Sequence, residues 1–210
     1  MSTATIILLH GLWMTGAEMS LLRRRLRMAG FLVDQFRYST MAHGLGHNTE
    51  RLAHRIQEYN HPVHLIGHSL GGVLALQTLR RYPDLNVAKV VCLGSPLLDA
   101  AAGRRFHQSR SARMILGKTL PEAVYSQPLE RWNGKQPVGV IAGTGGLGLG
   151  RLVTRLPKPN DGMVTLAETC LPGITDHLTV RSGHTGLILS EKVASQCVAF
   201  IRNGKFRPAG

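Results

Sequence analysis

Apolar positions along the chain fall into short continuous runs that alternate with stripes of helical spacing. Thr5-Ile-Ile-Leu-Leu9, Phe31–Phe36, Val63-His-Leu-Ile66, Lys89-Val-Val-Cys-Leu93, Pro137-Val-Gly-Val-Ile141 and His177–Val180 read as strands buried on one or both faces. Between them the spacing predicts helices from Glu18 to Ala29, stopped by Gly30, and from a cap at Asn48 through Arg51, Leu52, Ile56 and Tyr59. A third helix, Leu70–Arg81, carries apolar residues nearly all round and is expected to be central. Leu187–Arg202 closes the series, with Asn203-Gly204 as its stop. Alternating strands and helices give an α/β fold: a mostly parallel sheet flanked by helices, in a single domain spanning 1–210. Between Pro96 and Gln136 lies a connection too long for such a sheet, so 97–136 is expected to form a small cap insertion.

Composition excludes some classes. No apolar run approaches the ~18 residues of a membrane-spanning helix, and Met1–Thr5 lacks the start of a secretory signal. Three cysteines, an odd number, fit a reducing compartment. The expectation is a cytoplasmic protein, with a position peripheral to the inner membrane surface left open by its charge. Lys and Arg number 25 against 12 Asp and Glu, a formal +13, which favours anionic partners. The basic residues cluster at Arg23, Arg24, Arg25 and Arg27, and again at Arg104, Arg105, Arg110, Arg113 and Lys118. No zinc-finger, RNA-recognition or basic-zipper motif accompanies them, so specific nucleic-acid binding is not expected and an anionic membrane surface is the partner to consider.

The chemistry concentrates in three loops. Gly67-His68-Ser69-Leu70-Gly71 matches G-x-S-x-G between an apolar strand and a buried helix, the setting in which a strained turn presents a nucleophilic serine. A serine hydroxyl needs a base, and the base an orienting acid. His184, in Arg181-Ser-Gly-His-Thr-Gly186, sits in a loop after the last strand; His177 is the rival, inside that strand. Asp161, in Pro159-Asn-Asp-Gly162, is the leading acid, with Asp99 the alternative and Asp176 third. Two backbone N–H groups must face the developing oxyanion: Leu70 follows the nucleophile, and Leu12 lies in the His10-Gly11-Leu12 loop after the first strand. Trp13, Met14 and His68 are the candidate substrate-pocket residues, and His10 is read as structural.

With these residues assembled, the chain resembles the α/β-hydrolase superfamily, and within it the small bacterial triacylglycerol lipases and esterases. The resemblance runs from Ile6 to about Ile201 and is densest in Ile7–Gly11, Leu65–Gly72, Asn160–Val164 and Ser182–Leu187. It implies a Ser69–Asp161–His184 triad, Leu12 and Leu70 as oxyanion donors, and hydrolysis of a small-molecule ester or lipid through an acyl-enzyme, without metal or organic cofactor. Thioesterase or acyltransferase action would use the same residues, and a non-catalytic membrane-docking protein on this fold is the remaining alternative.

Two motifs are read as decoys. Gly143-Thr-Gly-Gly-Leu-Gly148 matches G-x-G-x-x-G, but Gly150, Pro157 and Pro159 argue against the helix a dinucleotide site requires. His43 and His47 lack the glutamate or cysteines of a metal motif.

Overall fold

The computed structural model describes residues 4–98, 119, 128–146 and 156–208. Among them six strands form one sheet: β1 (Thr5–Leu9), β2 (Leu32–Phe36), β3 (Val63–His68), β4 (Val87–Leu93), β5 (Val138–Gly143) and β6 (Asp176–Val180). All pairings are parallel, in the order β2-β1-β3-β4-β5-β6. The chain leaves β1 outward to β2 and returns on the other side to β3. The order therefore reverses between β1 and β3, and the crevice beyond the C-terminal ends of those strands is where such sheets bind ligands.

Residues alternate across the sheet and fill a core on each face. Ile7, Leu9 and Leu65 join α2 (Leu45–Gln57) and α3 (Leu70–Arg81) on one side. Ile6, Leu8 and Ile66 join α1 (Ser20–Met28) and α6 (Glu191–Asn203) on the other. Burial on both faces explains why the central strands read as unbroken apolar runs. Every residue of α3 from Leu70 to Leu79 is buried, as its all-round apolar pattern predicts. No helix among the described residues is long and apolar enough to cross a membrane.

Several boundaries differ from the sequence expectation. A turn of 3-10 helix, Ala17–Met19, precedes α1. β3 runs two residues beyond the expected Ile66, through Gly67 to His68. The C-terminal helix is divided: α5 (Gly186–Leu189) ends at Ser190, whose hydroxyl accepts from Val193 N–H and starts α6. A short α4, Leu166–Thr169, begins with a Thr165–Glu168 capping box that the Thr-x-x-Glu spacing announces. Asn48 is not a cap. Helix α2 starts after Gly44 and Asn48 lies inside it, fully buried, where its amide donates to Ser39 and Thr119. The insertion expected over 97–136, and with it Asp99 and the basic residues 104–118, falls largely outside the described residues.

Candidate active site

β3, an interior strand, delivers Ser69 at its C-terminal end through a backbone turn that few residues adopt. Ser69 has φ 53° and ψ −121°, a left-handed conformation disfavoured for any residue with a side chain and kept only where its surroundings enforce it. Its N–H donates to Leu93 O at the end of β4 (2.8 Å), and its carbonyl accepts from Gly72 N–H (3.1 Å). The neighbouring glycines let the two ends of the turn close. A Cβ on Gly71 would lie 2.3 Å from Leu9 O, and one on Gly67 2.3 Å from Gly72 N, both backbone atoms that cannot move aside.

The loop after β1 lies against this turn, since the Cβ position of Gly11 is 3.2 Å from Ser69 Cβ. His10 Nδ1–H donates to Gly11 O (2.9 Å), and Met14 N–H donates to the same oxygen (3.3 Å). Carbonyl and N–H point opposite ways across a trans peptide, so holding Gly11 O on that side turns Leu12 N–H to the other. Leu70 N–H is among the first amides of α3, which have no intrahelical acceptor. His10 itself stays in place because Tyr38 stacks on its ring at 4.3 Å, donates its hydroxyl to His10 O (2.7 Å), and gives its N–H to Nε2 (3.4 Å). Burial lowers the His10 pKa and keeps the imidazole neutral.

Asp161 and His184 meet directly. His184 Nδ1 is 2.7 Å from Asp161 Oδ2, and His184 N–H donates to Asp161 O (2.9 Å). Asp161 is 1% exposed, and its second oxygen accepts from Met163 N–H (2.9 Å) and Val164 N–H (2.7 Å). One carboxylate oxygen is thus fixed by its own turn and the other is left to the imidazole. His68, expected to line the pocket, is fully buried and instead donates from Nε2 to His184 O (3.1 Å). That bond joins the serine turn to the histidine loop, with the two rings 4.7 Å apart. Burial, and secondarily His184, push the His68 pKa down to about 3, so the ring is neutral at working pH. Gly94, at φ 55°, completes the packing: a Cβ there would approach Asp161 Oδ2 to 3.0 Å and His184 Nδ1 to 3.2 Å.

The remaining candidates separate clearly. Trp13 is 53% exposed, so it belongs to no core, whereas Met14 packs half-buried against the α1–α6 side. His177, the rival base, holds Thr169 Oγ1 at 2.9 Å on β6. Asp176 accepts from Phe206 N–H and His177 N–H, tying down the C-terminal tail. The glycine-rich segment after β5 braces the loops that carry Asp161 and His184: Gly145 N–H donates to Ser182 O (2.9 Å) and Gly146 N–H to Asn160 O (3.0 Å). Sequence reasoning missed Gly94 and Tyr38. Nothing local distinguishes either, because both act on residues far along the chain. It also missed exposed Met41 and Met163, on loops at the same end of the sheet as Trp13.

A family model described as "Alpha/beta hydrolase family" matches residues 6–186. No curated protein matches the sequence. Among solved structures, the mature form of Bacillus licheniformis lipase BlEst2 superposes with a TM-score of 0.75 at 19% identity, covering 95% of this chain and 91% of that one. A pyrethroid hydrolase from Sphingobium faniae JZ-2 follows at 0.68 and 15% identity, covering 96% and 98%. A monoacylglycerol lipase from Paleococcus ferrophilus gives 0.62 at 16% identity, covering 95% and 94%. At these identities the likeness is one of fold.

Proposed function

The chain belongs to the alpha/beta hydrolase family, and from that premise we propose that it is a serine hydrolase cleaving carboxylic esters through an acyl-enzyme. The observation that carries this reading is the 2.7 Å contact between His184 Nδ1 and a buried Asp161 carboxylate. With Nδ1–H given to Asp161, the neutral imidazole presents Nε2 as a base. Ser69 Oγ attacks the ester carbonyl carbon as its proton passes to Nε2. The carbonyl oxygen becomes an oxyanion held by Leu12 and Leu70 N–H. Collapse of that adduct breaks the bond to the alcohol, which leaves with the proton from His184. Water then attacks the acyl-Ser69 ester, its proton going to Nε2, and Ser69 recovers a proton as the acid departs. These steps use no metal or organic cofactor.

An apolar small-molecule ester or a lipid is the proposed substrate class, supported by the exposed Trp13, Met41 and Met163 on the loops at this end of the sheet. The formal +13 supports an enzyme that works at an anionic membrane surface, and the three cysteines support a reducing, cytoplasmic setting.

A fluorophosphonate probe tests the mechanism together with a panel of p-nitrophenyl esters and matching thioesters. Labelling at Ser69, lost in Ser69→Ala along with a drop in kcat on the order of 10⁶, is the expected result. Faster turnover of the thioesters would move the assignment to a thioesterase. More than a tenth of wild-type turnover in Ser69→Ala would remove the nucleophile.

A further inference from the structure

A buried polar cluster outside the catalytic residues has no role in the chemistry above, and sequence reasoning misplaced its central member. Asn48 sits inside α2, where asparagine is a poor helix former, and it is fully buried. Its amide Nδ2 donates to Ser39 O (3.0 Å) and to Thr119 Oγ1 (2.9 Å). Thr119, also fully buried, donates its hydroxyl to His43 O (2.7 Å) and its N–H to Thr40 O (3.3 Å). Three carbonyls of the segment after β2 are therefore pinned: Ser39 O by the Asn48 side chain, His43 O by the Thr119 hydroxyl and Thr40 O by the Thr119 backbone N–H. A flipped Asn48 amide would set its oxygen against Ser39 O, so the network itself fixes the orientation.

The pinned segment touches the loop after β1. Trp13 N–H donates to Thr40 Oγ1 (3.4 Å), and Thr40 is 3% exposed. Trp13 is the third residue of the turn closed by Met14 N–H on Gly11 O, and its φ of 59° is one that a bulky side chain avoids. A conformation of that kind persists only where neighbours hold it. Leu12, whose N–H is the proposed oxyanion donor, precedes Trp13 directly.

We propose that Asn48 and Thr119 are positioning residues for the oxyanion loop: by locking the 39–43 segment they hold Thr40 under Trp13 N–H and so set the direction of Leu12 N–H. The inference rests on the hydrolase reading for its catalytic consequence, but its structural part can be measured without turnover. The chain has two tryptophans, and Trp132 is 6% exposed, so a Trp132→Phe background leaves Trp13 as the reporter.

In that background Thr119→Val removes both bonds of the hydroxyl while filling the same space, and Thr40→Val removes the acceptor at the other end of the chain of contacts. Each is expected to raise acrylamide quenching of Trp13 at least twofold. Each should also lower kcat on p-nitrophenyl butyrate tenfold or more, with KM changed less than threefold and the pH–rate midpoint unmoved. Thr119→Ser, which restores the hydroxyl, should recover both signals. Unchanged Trp13 quenching in both valine variants overturns the proposal, and so does altered quenching with kcat within twofold of wild type. A parent protein that neither labels nor turns over esters defeats the hydrolase reading instead, and the quenching series still decides whether the cluster holds the loop.

Discussion

His184 Nδ1 and Asp161 Oδ2 lie 2.7 Å apart across 23 positions of sequence, and the carboxylate reaches the imidazole already oriented. Its other oxygen is held by Met163 and Val164 N–H, and the His184 backbone is held by Asp161 O and His68 Nε2. In the proposed mechanism neither group needs to reorganise when the imidazole gains a proton, which is the condition for strong electrostatic stabilisation.

Asp161→Asn tests that orientation. The amide oxygen can still accept from Met163 and Val164, so the turn should survive. The NH₂ group then faces His184 Nδ1 and forces the tautomer whose proton sits on Nε2. If the proposed triad acts as known Ser–His–Asp sites do, kcat should fall on the order of 10⁴ with little change in melting temperature. Activity within tenfold of wild type would mean that the acid lies elsewhere.

The parts of this site that were legible in the sequence are those whose signals are local. Gly67–Gly71 lies between a strand and an apolar helix, and His10-Gly11-Leu12 follows the first strand, so spacing alone placed them. Chain order left Asp99, Asp161 and Asp176 as candidates between Ser69 and His184, and the structure brings Asp161 against His184. What was not legible depends on contacts between distant segments. Asn48 has the composition of a cap, but burial against Thr119 decides its role. His68 sits in the motif as if facing substrate, yet its partner is a backbone carbonyl more than a hundred positions away. Ser190 divides the last helix because its hydroxyl caps the next turn, and a continuous apolar stripe hides that break.

Gly94→Ala should disturb Asp161 and His184 without replacing either. The φ of 55° strains any side chain, and the added methyl would meet Leu187 Cδ1 at 2.8 Å and Asp161 Oδ2 at 3.0 Å. We expect a stability loss of about 1–3 kcal/mol. A displacement of the pair by a fraction of an ångström should also cost kcat up to about a hundredfold. Thermal melts and kcat on one soluble ester check both; unchanged values would mean that the pair tolerates movement.

Two buried histidines should make the fold less stable in acid. His68 is held down to about 3, by burial and then His184, and His64 to about 4, by burial and then Lys89. Both titrate near 6.5 once unfolded, so between pH 6.5 and about 4 the unfolded chain binds more protons than the native one. Stability from these groups is intact above pH 6.5 and falls as pH drops through that window, by about 1.4 kcal/mol per unit of pKa difference. His64→Val should move the acid midpoint of urea or thermal unfolding to lower pH. A midpoint that stays put would show that His64 escapes burial.

Membrane attraction should follow charge. A basic residue near an anionic bilayer contributes about 1 kcal/mol, and Arg104, Arg105, Arg110, Arg113 and Lys118 have no acidic residue among them. Sedimentation with phosphatidylserine vesicles should exceed that with phosphatidylcholine, fade by about 0.5 M salt, and weaken when these five become Gln. Equal sedimentation with both vesicles would leave only a solvated basic surface.

Trp13 separates a core role from a substrate role most directly. Replacing a buried tryptophan by a small residue costs about 3–5 kcal/mol. Trp13 is 53% exposed and occupies φ 59°, which glycine adopts without penalty. In Trp13→Gly, relief of the backbone strain offsets the gain in unfolded-chain entropy and the loss of partial packing, so stability should change by less than about 1 kcal/mol. Selectivity should change more. Each methylene removed from water contributes about 0.8 kcal/mol, and without the indole a long acyl chain loses part of that contact, whereas an acetate never made it. The ratio of kcat/KM for p-nitrophenyl octanoate over acetate should therefore fall at least fivefold. A large stability loss with that ratio unchanged would return Trp13 to the scaffold.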